Sequence, residues 1–148
     1  MTDRVFLDTN IAIYTRDRNA PEKAERASTW IRLLRDDGRL VISPQVVNEA
    51  YAVAIRKFDS IPRAEIRNWL GHYLAYCTAP LNAAVVADAF SLERDFSLHW
   101  WDCLIVASAL AADCAYVLSE DMQHGRTIRS ATVINPFLTS PDELTARR

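Results

Sequence analysis

Glycine is scarce in this chain. Its 148 residues include only Gly38, Gly71 and Gly125, and no two are close enough to form the glycine-rich loop that cradles phosphates in Rossmann or Walker nucleotide sites. Cysteine is equally sparse. Cys77, Cys103 and Cys114 are odd in number, lie far apart and sit within or beside apolar stretches, as small core residues of a protein in a reducing cytoplasm do. His72, His99 and His124 include no close pair and no Cys-x-x-Cys occurs, so nothing points to zinc. No charged start followed by a long apolar segment opens the chain, and no run approaches the roughly 18 apolar residues of a membrane span, so a soluble cytoplasmic protein is expected. A net charge of −2 with a pI near 5.9 gives no general attraction to nucleic acid or anionic membranes. Any basic surface must be local. Arg56, Lys57, Arg63 and Arg67 form one candidate group for phosphate and Arg126 with Arg129 a second, the alternative being ordinary solvated faces.

What is present is an ordinary globular composition, half hydrophobic and about a quarter charged. One domain over residues 1–148 is expected, long enough to bury about 68–70% of its unfolded surface. Val5, Phe6 and Leu7 form a continuous apolar run ending at Asp8, which suits a buried parallel strand entering a helix. Leu40, Val41 and Ile42 repeat the pattern, with Ser43 as N-cap and Pro44 as first helical residue of a helix through Val46, Ala50 and Val53. Apolar residues at helical spacing mark amphipathic helices over residues 22 to 35 and 63 to 74. Residues 76 to 79 read as a short strand, Asn82 as the cap of a helix reaching about residue 96, and residues 102 to 112 as an apolar helix. Residues 115 to 119 and 132 to 134 supply two further strands. Alternating strands and helices imply a parallel sheet covered by helices, with ligands bound beyond the carboxyl ends of the strands.

Four acidic residues stand where that architecture places a cleft. Asp8 follows the first apolar run, although a turn or cap would explain it alone. Glu49 lies at i+3 from Val46 and i−4 from Val53, at the edge of the apolar stripe. A snorkelling boundary carboxylate is its alternative. Asp102 opens the run Cys103, Leu104, Ile105, Val106, Ala107 on the face of Ile105, Val106 and Ala109; the bland role is an acid in a first helical turn. Asp121 stands just beyond Val117 and Leu118, where a loop acid is equally ordinary, and the adjacent Glu120 should point elsewhere. Carboxylates gathered in a partly dry cleft repel one another, by roughly 4 kcal/mol per pair at about 4 Å and an effective dielectric near 20. A bound cation removes that difficulty. An all-oxygen set suits Mg2+ or Mn2+, and Asn10 and Ser119 are the side chains expected to orient the carboxylates.

With D-T-N at residues 8 to 10, S-P-Q-V-V-N-E at 43 to 49, Asp102 before C-L-I-V-A-S-A, and S-E-D-M-Q-H-G at 119 to 125, the chain resembles the PIN-domain family over nearly its whole length. It looks most like the VapC-type toxins of bacterial toxin–antitoxin pairs. The resemblance implies a three-layer α/β/α sandwich with a central parallel sheet and a Mg2+- or Mn2+-dependent ribonuclease. It also implies a homodimer restrained by a cognate VapB-type antitoxin, and products with 5′-phosphate and 3′-hydroxyl ends. It maps the catalytic and metal-binding quartet onto Asp8, Glu49, Asp102 and Asp121, with Asn10 and Ser119 as supporting residues. Trp100 and Trp101 are bulkier than the commonest family pattern and are expected to shape the substrate groove. Any of Trp30, Trp69 and Tyr73 left exposed would be a candidate dimer surface, although core packing is the expected fate of most. Three alternatives stay open: a housekeeping PIN nuclease, a catalytically silent module that binds RNA or antitoxin, and a phosphorylated Asp8. The last wants a second acid two residues on, where Asn10 stands.

Overall fold

The computed structural model describes residues 3–146. The run Val5–Leu7 is β1, and all three of its residues are fully buried. Successive strand side chains point to opposite faces, so burial of every one requires helices on both sides of the sheet. The same holds for Val117 and Leu118 in β3 (Tyr116–Leu118). Strands β2 (Leu40–Val41), β4 (Thr127–Ile128) and β5 (Ala131–Ile134) complete a five-stranded sheet of order β2-β1-β3-β5-β4. Phe6 pairs with Val41 on one side and Val117 on the other, and Val117 pairs with Val133, all in parallel. Only β4 runs antiparallel, joined to β5 by a tight turn with Arg129 at positive φ. The expected mixed α/β architecture with a central, mostly parallel sheet is therefore the observed one.

Among the described residues seven helices surround it: α1 (Thr9–Tyr14), α2 (Pro21–Asp36), α3 (Pro44–Lys57), α4 (Arg63–Gly71), α5 (Ala83–Phe96), α6 (Trp100–Ala111) and α7 (Pro141–Ala146). Helix α2 ends where the backbone turns left-handed at Gly38, whose N–H donates to Arg35 O while Arg39 N–H donates to Leu34 O. A Cβ at Gly38 would meet no atom within 4 Å, so glycine answers a backbone requirement there and not a steric one. Asn82 caps α5 as expected, its Oδ1 accepting Val85 N–H at 3.0 Å. The main core joins the strands to Trp30, Leu34, Leu92 and the apolar α6. A smaller cluster packs Ile13 of α1 against Ala50 and Ala54 of α3 and Ile66, Trp69 and Leu70 of α4.

Two details differ from the sequence reading. Residues 76 to 79 do not form a strand. A turn of 3-10 helix over His72–Tyr76 continues α4, and only Cys77 bridges the sheet, opposite Ile42. Ser43 occupies the N-cap position of α3, but its hydroxyl makes no capping bond and is buried without a partner. Trp30 and Trp69 are buried, the core packing expected for most of the aromatic candidates, so neither supplies a dimer surface. Cys103 and Cys114 sit in the core, and burial pushes the Cys114 thiol up to about 12. No helix is long and apolar enough to cross a membrane among the described residues.

Candidate active site

The carboxyl ends of the parallel strands open into a cleft of about 900 Å3 lined by Asp8, Glu49, Asp102 and Asp121. All four sequence-selected acids thus reach one cavity, by three routes. Asp8 and Asp121 follow strands, because β1 and β3 stop in register at Leu7 and Leu118. Glu49 comes from the second turn of α3, and Asp102 from the first turn of the buried helix α6.

Asp8 is only 5% exposed and is also the N-cap of α1. Its Oδ1 accepts Thr9 N–H at 2.7 Å, and its Oδ2 accepts the Ser119 hydroxyl at 2.8 Å and Asn10 Nδ2 at 3.3 Å. Capping and cleft chemistry therefore share one carboxylate. Burial pushes its pKa up to about 7, with the charges of Asp102 and Asp121 adding to the rise and the bonds from Ser119 and Thr9 opposing it. Asp102 is also raised, first by burial and then by Asp121 and Glu49, with His99 acting against the shift. For both groups burial is the first cause and the neighbouring carboxylates add to it.

Ser119 and Asn10 both donate to Asp8. Ser119 is fully buried beneath Asp8. Asn10 joins two carboxylates, its Nδ2 donating to Asp121 Oδ2 at 2.9 Å as well as to Asp8, while its Oδ1 accepts Glu120 N–H at 3.3 Å. Glu120 points away, as anticipated: Tyr14 donates to its Oε1 at 2.5 Å and Lys23 pairs with its Oε2. His124 is committed to the fold, its Nδ1 accepting Asn135 N–H. So are Arg126, which donates to Phe96 O, and Arg129, which pairs with Asp88. Of the basic residues singled out, Arg56 and Lys57 line the cleft.

Sequence reasoning missed two contributors. Thr9 Oγ1 donates to Glu49 Oε2 at 3.1 Å, linking α1 to α3. Gln45 Nε2 donates to Glu49 Oε1 at 2.8 Å and to Trp101 O at 3.3 Å, tying α3 to the start of α6. The available signals were the Thr inside D-T-N and a glutamine one helical turn before Glu49.

Among the described residues, no three acidic, histidine or cysteine side chains are gathered into a preassembled metal-ligating group. The donor chemistry still fits a hard divalent cation: four carboxylates, only neutral hydrogen-bond donors touching them, and no Lys or Arg ion pair to any of the four among the described residues. No curated protein matches the chain. The PIN domain family matches residues 5–128, from the first residue of β1 to the last of β4 and across all four carboxylates. PIN domains are generally metal-dependent nucleases, hydrolases of phosphodiester bonds. With the match covering most of its length and the sheet, helices and acidic cleft in place, the chain belongs to the PIN-domain family.

Proposed function

We propose that the protein is a Mg2+- or Mn2+-dependent endoribonuclease, a single PIN domain acting as the toxin of a VapBC-type pair, with Asp8, Glu49, Asp102 and Asp121 as its catalytic residues. The observation that carries this reading is one cleft receiving four carboxylates with no cationic side chain paired to any of them among the described residues. Asp8 and Asp102 are assigned as direct ligands, and Glu49 and Asp121 as ligands of a second ion or partners acting through water. A cation held there lowers the pKa of water and neutralises charge on the scissile phosphate. The chain's own part is orientation. Ser119 and the Thr9 amide fix the Asp8 carboxylate, Asn10 sets the distance between Asp8 and Asp121, and Gln45 and Thr9 hold Glu49 from opposite oxygens.

The toxin assignment draws on the order and spacing of the four motifs. A homodimer and a VapB-type antitoxin accompany it, the antitoxin occupying the cleft with a cationic side chain such as Arg. The test is cleavage of cellular RNA after brief induction, with 5′-phosphate ends mapped at discrete sites. Asp8→Asn and Asp102→Asn should each lower cleavage by about 10³-fold while the variants still fold. Unchanged cleavage by both refutes the site. Growth inhibition relieved by the product of a small neighbouring reading frame supports the toxin role, whereas cleavage without inhibition makes the protein a housekeeping nuclease.

A further inference from the structure

Apart from the acids, much of the cleft lining is apolar for a site that handles phosphates. Ile13, Val53, Leu81, Leu104 and Ile105 line it together with Trp101, a residue 63% exposed. Joined to that apolar lining, the exposed side chain belongs to a contiguous patch, the kind that marks a binding groove. Two contacts fix the start of the helix that carries it. Trp100, its neighbour in the first turn of α6, turns back onto α5 and stacks on Phe90, ring centres 5.2 Å apart at 24°. Trp101 itself is held through its backbone by Gln45, the residue that also holds Glu49. The start of α6 is thereby fixed from both sides, with one free indole left at the cleft, immediately before Asp102. On the rim, Arg56 in the last turn of α3 has no ion pair among the described residues, whereas the adjacent Lys57 is tied to Asp17 at 2.9 Å.

A free π face, an apolar wall and an unpaired guanidinium around an acidic floor match one ligand chemistry. We propose that Trp101 is a specificity-determining binding residue, stacking on one unpaired base beside the phosphate that the carboxylates face, with Arg56 on a neighbouring phosphate. This rests on the nuclease reading of the same cleft and adds which part of the nucleic acid the protein reads. A base held in a duplex has both faces covered by its neighbours, so the indole selects for a loop, bulge or single strand. Stacking is tolerant of base identity, so Trp101 sets the position of the cut relative to an unpaired nucleotide more than its sequence.

The experiment measures binding in an Asp8→Asn background with Mg2+ present, so that hydrolysis does not interfere. A single-stranded RNA of about 12 nucleotides is compared with copies carrying one abasic position moved along the strand, Trp101→Ala being expected to weaken binding of the intact strand about tenfold. One abasic position should cost the Trp101 protein a similar factor and cost Trp101→Ala nothing further, because the stacked base is already without its partner. Trp101→Phe should retain most of the affinity and the same sensitive position. Equal tolerance of every abasic position by the Trp101 protein overturns the proposal. So does a Trp101→Ala loss that stays the same on every abasic strand, or a variant that keeps RNA affinity but changes its sedimentation, which would make the indole a protein-contact surface. If the parent cuts RNA and the cycle is null, only this inference fails. If binding depends on Trp101 but no RNA is ever cut, the nuclease reading fails and this one stands.

Discussion

Glu120 and Asp121 are adjacent in the chain and meet opposite fates. Glu120 turns to Lys23 and Tyr14, and these bonds outweigh the upward push of burial and hold its carboxyl below the usual range. Asp121 turns into the cleft, where the neutral amide of Asn10 donates to it. Asp17 and Asp8 repeat the contrast, both nearly buried, one paired with Lys57 and the other held up at about 7. Basic residues are not in short supply, with 17 Lys and Arg against 19 acids. The fold places cations beside the acids that hold it together and keeps them off the acids in the cleft, so the missing charge belongs to the site and not to the composition.

Supplying that charge should have the largest effect. Asn10→Lys would place an ammonium between Asp8 and Asp121, as Lys23 stands beside Glu120. Cleavage should fall by about 10³-fold, the scale for losing a principal electrostatic contribution. The rise in melting temperature on adding Mg2+, expected of any ligand that binds only the folded state, should vanish, while the metal-free protein melts higher than the parent. A variant that still cleaves and still responds to Mg2+ would break the distinction between the two classes of acid.

Next in size is the pH dependence of the metal-free protein. A carboxyl whose folded pKa lies above its usual value stabilises the fold fully below about pH 4 and loses that contribution as pH rises through about 7. For Asp8 the difference amounts to at most about 4 kcal/mol, and Asp102 acts in the same direction. Stability measured by urea titration in chelator should therefore fall between about pH 4 and 7, and Asp8→Asn should flatten most of that slope. Mg2+ should restore stability increasingly above about pH 7, where the ion no longer competes with the proton. An Asp8→Asn profile parallel to the parent's would place the slope elsewhere.

The sequence made the frame and the acids legible for one reason: both lie on features with a local signature. Val5 to Leu7 and Val117 to Leu118 are short apolar runs because both sheet faces are covered, and Asp8 and Asp121 can be placed because they follow those runs. Glu49 and Asp102 betray themselves by standing on the apolar side of a helix. Thr127 and Ile128 escaped notice because two residues cannot show a period, and their pairing depends on the turn at Arg129. Residues 76 to 79 misled because their apolar character serves one bridge and a 3-10 turn at the sheet edge, next to a two-residue strand that offers little to pair with. Gln45 and Thr9 were invisible as site residues because their partners lie on elements distant in sequence, which no local pattern reports.

The smallest effects test whether the two arms of the loop after β3 are independent. Ser119→Ala removes the hydroxyl beneath Asp8 and should weaken Mg2+ binding by about 10–100-fold, the range for a group that orients a ligand. Tyr14→Phe removes the other arm's bond, the one to Glu120 Oε1, and should cost about 1 kcal/mol of stability, a shift of about 2 to 4 °C in a chain of this length. Its Mg2+ affinity should stay within about twofold of the parent's, since Tyr14 lines the cleft but its hydroxyl is spent on Glu120. The link that would defeat this expectation is Asn10, whose Oδ1 accepts Glu120 N–H while its amide serves both Asp8 and Asp121. If loosening Glu120 moves that amide, Tyr14→Phe will weaken Mg2+ as Ser119→Ala does, and the structural acid and the cleft acid must then be regarded as one coupled network.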